Sequence, residues 1–144
     1  MSLKKGKPFA ELIKAQAAAF KIHKLLEFPH PNDVPLDDLA MSRGVLVVEK
    51  PMFGAEGRLL RNGNAGIINI DSGISQVGRR RFTIAHELGH WEMHKEYSQF
   101  LCDEDDMRDY GQSPLEMEAN CFAAELLMPT FQFRKAIEKR QPSM

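Results

Sequence analysis

The chain has 144 residues, of which 43% are hydrophobic and 27% charged, enough apolar material for one packed domain and too short for two. Nineteen basic against 20 acidic residues give a net charge of -1, which excludes a broadly basic nucleic-acid binder. Two cysteines, Cys102 and Cys121, are too few for a disulfide scaffold, no apolar run approaches a membrane span, and the N-terminal stretch has no apolar signal region, so a single cytoplasmic domain over residues 1–144 is expected.

Pro8 suits the first turn of a helix, and the run that follows carries Phe9, Leu12, Ile13, Gln16, Phe20 and Lys24 at helical spacing. That stripe predicts an amphipathic helix to about residue 28, stopped by Pro29, Pro31 and Pro35. A short helix ending at Gly44 is expected next. From 44 to 73 glycines punctuate three β-like runs, 45–50, 57–60 and 66–70, and Asn62-Gly63 is a strong hairpin signal. The expectation is an α+β fold with a small three-stranded, mostly antiparallel sheet. Helix returns over 76–95. An acidic stretch, 96–112, reads as loop, and Ser113-Pro114 opens another helix that stops at Pro129. Thr130 can cap a last short helix.

The chemistry lies in His86-Glu87-Leu88-Gly89-His90, an HExxH sequence. At about 100° per residue, His86 and His90 share one helix face one turn apart, and both imidazoles can reach one Zn²⁺. Glu87, about 100° round from His86, is placed to act as general base on a water activated by the metal. Ile84, Leu88 and Trp91 form the opposite, core-facing side. A hydrolytic zinc site needs a third protein ligand. His94 is about 12 Å along the axis from His86, too far to share the ion, and reads as a solvated or packed histidine. Cys102 and Cys121 lack the CxxC spacing of thiolate sites, and the acidic run 103–106 suits a solvated loop. On the downstream helix, Glu116 shares a small, apolar face with Ala119, Asn120, Ala123 and Leu127, whereas Glu118 and Glu125 fall on the other side and read as solvated. A carboxylate on a packed face needs a partner, which a metal provides. Glu116 is therefore assigned as third ligand, with Asn120 as a hydrogen-bonding supporter of a ligand. A capping role for Glu116 beside Ser113 is the alternative and is compatible with ligation.

RRRFTIAHELGH at 79–90, with EMEANCFAAELLMP at 116–129 and VPLDDLAMSRGVLVVE at 34–49, resembles the ImmA/IrrE family of zinc metallopeptidases over about residues 34–130. The resemblance implies a zincin-type, gluzincin-like core, one Zn²⁺ held by His86, His90 and Glu116, and Glu87 as base. It also implies a helix-turn-helix repressor as substrate, and a setting in transcription regulation, mobile-element induction or stress response. Unlike larger members, the sequence shows neither a sensor domain nor a helix-turn-helix module, which fits the peptidase half of a two-protein pair. No direct nucleic-acid or membrane contact is expected.

The leading function is thus zinc-dependent endoproteolysis. The alternative is a non-cleaving regulatory or toxin–antitoxin-type binding module with a structural metal. Tyr97 and Tyr110 are candidate oxyanion donors in the loop between the two ligand helices. Residues 66–70, with Ile68 and Ile70 on one face and Ile67 and Asn69 on the other, are expected to be an edge strand that pairs with substrate backbone. Arg79-Arg80-Arg81 reads as a solvated face.

Overall fold

A computed structural model of the chain describes residues 7–25, 35–107 and 113–128. Four helices are seen among them: α1 (Lys7–Leu25), α2 (Leu36–Ser42), α3 (Val77–Met93) and α4 (Pro114–Leu127). With them are four strands, β1 (Val45–Lys50), β2 (Gly57–Asn62), β3 (Ala65–Asp71) and β4 (Gln99–Cys102), and one 3₁₀ turn at Asp105–Met107. The last helix expected after Thr130, and the end of the first beyond Leu25, lie outside the described residues.

The sheet order is β1-β3-β2-β4, with β1 and β3 parallel and the other pairs antiparallel. This corrects the three-stranded expectation: Gln99–Cys102, read as loop, pairs with β2. Its four residues are flanked by charge, which hides a period-2 pattern that is only two inward residues long. β2 and β3 form the hairpin expected at Asn62-Gly63, a two-residue turn in which Gly63 takes φ +64. Strand 66–70 is not an edge. It sits inside β3 and pairs with β1 on one side and β2 on the other, so its backbone is already spent on the ladder. The substrate-pairing expectation for Ile67, Ile68, Asn69 and Ile70 fails on that ground.

Side chains directly opposite one another share a face. One inward row runs Val47, Ile68, Leu59, Phe100, and the next Glu49, Ile70, Gly57, Cys102. Helix α3 packs on β2 and β3, and α4 packs against both α3 and α1. The close approaches are made by missing side chains. A Cβ on Gly66 would lie 2.6 Å from the Trp91 ring, and one on Gly89 would lie 3.0 Å from Phe122, so the Trp91 side chain of α3 rests on the β3 backbone and Phe122 of α4 rests on the α3 backbone.

The buried face of α1 also differs from the expected stripe. Ala15, Ala19, Ile22 and His23 are buried, while Ile13 is 50% and Phe20 41% exposed. Small residues win this face because α4 packs there, and His23 Nε2 meets the Leu126 carbonyl at 2.7 Å. Hydrophobicity alone points to the larger side chains, but two helices in close contact select for volume.

Candidate metal centre

Helix α3 presents His86 and His90 one turn apart, as their spacing requires, but the ligand side is not open to solvent. Both histidines and Glu87 are 0% exposed, because α4 and β4 close over them. Helix α4 starts at Ser113, whose hydroxyl accepts the Glu116 N–H at 3.3 Å, with Pro114 in the first turn. That cap orients the first turn so that the Glu116 carboxylate reaches α3. Its Oε1 lies 2.9 Å from His86 Nε2 and 2.7 Å from His90 Nε2, and the two Nε2 atoms are 3.2 Å apart. Capping and clustering thus coexist at Glu116.

Each histidine spends its other nitrogen on a fixed partner. His86 Nδ1 donates to Asn120 Oδ1 at 2.8 Å, while the Asn120 amide donates to the Asp106 carbonyl at 2.9 Å. His94 Nε2 donates to Glu118 Oε1 at 2.7 Å, so its Nδ1 is left to accept from His90 Nδ1 at 2.8 Å. In the tautomer that a bound metal requires, both Nε2 lone pairs would face the same spot as Glu116 Oε1. Glu118 is therefore buried and engaged, not solvated as its helix face suggested. α4 is packed on more than one side, so no single polar stripe exists to read.

Cys102 completes the group. Its Sγ is 3.6 Å from Glu116 Oε1 and 3.8 Å from His90 Nε2, and the ligand atoms of His86, His90, Cys102 and Glu116 all lie within 4.8 Å of one another. Phe100, the other inward residue of β4, stacks on His90 with ring centroids 3.7 Å apart. The sequence held a weak sign of this pair, since Phe100 and Cys102 alternate with Gln99 and Leu101. Cys121 lies elsewhere, its thiol 3.6 Å from the Leu12 carbonyl between α1 and α4.

The electrostatics follow from burial. Glu116 is pushed up by desolvation but held down to about 2 by its hydrogen bonds to the two histidines. Burial lowers His90 to about 4. For His86 burial also pulls downward, but the Glu116 and Glu87 carboxylates outweigh it and the imidazole is raised. Desolvation pushes Glu87 up to about 7, against the pull of His86. Neither Glu87 oxygen makes a hydrogen bond of ordinary geometry, although the Cys102 thiol beside it also pulls the carboxyl downward. Room for this carboxyl comes from β2, where a Cβ on Gly57 would lie 2.7 Å from Glu87 Oε2.

The donor set fits a divalent metal. Two imidazole nitrogens, a carboxylate and a thiol are the ligand types of zinc, and one ion could reach them all. A fully buried carboxyl without an ordinary hydrogen bond stands beside them. The IrrE N-terminal-like domain model, of the Peptidase_M78 family, matches residues 40–144. The chain belongs to this IrrE-like peptidase family. No curated relative matches the chain. Among the described residues no helix of this IrrE-like domain is long and apolar enough to cross a membrane.

Tyr97 is not brought to the cluster. Tyr97 is 43% exposed, and its ring packs on Phe100, 5.3 Å between centroids. Tyr110 lies outside the described residues. Of the three arginines, Arg79 pairs with Glu56, and Arg80 with Glu49 and Asp37, so this turn ties α3 to its neighbours.

Proposed function

We propose that the chain is a zinc endopeptidase whose ion is held by His86, His90 and Glu116, with Glu87 as general base. One observation carries this reading: three ligand atoms converge next to a fully buried carboxyl that makes no ordinary hydrogen bond. A bound Zn²⁺ would polarise a carbonyl and make a water easier to deprotonate. Glu87 takes the proton from that water and returns it to the leaving amine, a task suited to a buried carboxyl beside the ligands. Asn120 and the Glu118–His94 pair fix the histidine tautomers and supply no proton to substrate.

Substrate placement follows from the sheet. Among the described residues β4 pairs only with β2 and is the edge strand that carries Phe100 and Cys102 at the cluster. An extended peptide adding to its free side would pass the site. A cleft of about 290 Å³ between Arg79, Phe82, Thr83, Glu104 and Met107 opens one turn before Glu87 and can take a side chain. A helix-turn-helix repressor is the proposed protein substrate, on the strength of the sequence resemblance to the ImmA/IrrE family.

The test is Glu87→Gln in zinc-loaded protein, assayed by mass spectrometry against a peptide library and a panel of helix-turn-helix repressors. The variant should keep one zinc per chain and lose cleavage. Cleavage at the wild-type rate by Glu87→Gln would end the proposal.

A further inference from the structure

Four protein donors converge where a hydrolytic zinc site needs three and an open position. Bonds of about 2.3 Å to sulfur and about 2.0–2.1 Å to nitrogen or oxygen, at tetrahedral angles, put a sulfur about 3.5 Å from the other donors. The Cys102 thiol, at 3.6 Å from Glu116 Oε1 and 3.8 Å from His90 Nε2, already stands at that separation. Its place is set by the backbone: Cys102 is opposite Gly57 in the ladder, and its carbonyl accepts the Glu56 N–H at 2.9 Å. It is 0% exposed and faces inward.

A closed set of four protein ligands is ordinarily a structural site. The neighbouring residue argues otherwise. Glu87 is buried with no ordinary hydrogen bond to either oxygen, the Cys102 thiol lies beside it, and Gly57, the residue opposite Cys102, has no side chain where that carboxyl lies. A buried carboxyl so weakly satisfied is costly and contributes nothing to a structural ion. The site therefore carries the apparatus for hydrolysis and a thiol standing in the fourth position.

We infer that Cys102 is the fourth metal ligand of a closed, latent resting site, and that its withdrawal opens the position that hydrolysis needs. On closing, the S–H bond is replaced by a sulfur–metal bond and the proton leaves to solvent. On opening, the thiolate is displaced and recovers a proton from water. β4 suits such movement: it is four residues long, paired on one side, and runs into exposed acidic residues. A peptide strand adding to its free edge acts on the segment that holds the thiol.

This inference rests on the metal site proposed above, and one experiment separates the two. Co²⁺ is added to the metal-free full chain, and bound metal and sulfur-to-cobalt charge-transfer absorption in the near ultraviolet are measured. One Co²⁺ per chain with that absorption is expected in the wild type. Because the chain has two cysteines, its persistence in Cys121→Ser assigns it to Cys102 without altering the site. Cys102→Ser should bind Co²⁺ without the absorption, hold Zn²⁺ about tenfold or more weakly, and, loaded with excess zinc, cleave a peptide library faster than wild type. One bound Co²⁺ with no sulfur absorption overturns the inference and leaves the three-ligand site standing. No bound Co²⁺ removes both. Absorption lost in Cys121→Ser also overturns it, and a Cys102→Ser enzyme no faster than wild type overturns the latency.

Discussion

Glu118 and His94 show how far the site extends beyond its donors. Their hydrogen bonds favour the His90 tautomer with its proton on Nδ1, which leaves Nε2 for a metal, as Asn120 does for His86. Glu118→Ala should therefore weaken Zn²⁺ binding by about 10–100-fold although Glu118 cannot touch the ion, and a competitive chelator titration would read this. Unchanged affinity would show that the tautomer is fixed by other means. Glu87 yields a pH prediction for the metal-free protein. Its carboxyl is raised from an ordinary 4.5 to about 7 in the fold. Below pH 4.5 both folded and unfolded chains keep the proton, and nothing is lost. Between 4.5 and 7 only the unfolded chain ionises, so stability falls as pH rises, and above 7 the loss is complete. Glu87→Gln removes this penalty, worth on the order of 3 kcal/mol. Urea unfolding should find the variant more stable than wild type at pH 8 and equal to it near pH 4.

Helices α3 and α4 meet through small residues, and their spacing sets the distance from Glu116 to the two histidines. Ala119 and Ala123 are fully buried, and Gly89 faces Phe122. Enlarging this seam must move a helix, because a close-packed interior has no void to absorb three extra carbons. Ala123→Leu should cost about 1–3 kcal/mol in thermal or urea unfolding and weaken metal binding in parallel. A stability loss with metal affinity untouched would mean that α4 rotates locally without shifting Glu116.

For the molecule as a whole, the donors come from α3, β4 and α4, three separate elements brought together by packing. An ion bound only by the folded chain stabilises it by mass action. At a hundredfold excess over the dissociation constant this is about 2.7 kcal/mol, a rise in Tm on the order of 10 °C. Calorimetry with Zn²⁺ and then with chelator should show the rise and its reversal. Equal Tm values would contradict a site built across three elements.

His86, Glu87 and His90 were legible in the sequence because one helix carries them and its period alone sets their geometry. Glu116 could be read because a carboxylate on a small, packed face demands a partner. The hairpin at Asn62-Gly63 was equally local. Cys102, the Glu118–His94 pair and the central place of β3 were not, because each is decided by which element lies beside which. A four-residue strand has too little pattern to announce itself, and strand order leaves no mark in a single strand's residues. Whether Glu118 meets water or His94, and whether the fourth donor position holds a thiol, are settled by contacts between segments distant in the chain. Those contacts exist only once α3, α4 and β4 are packed together.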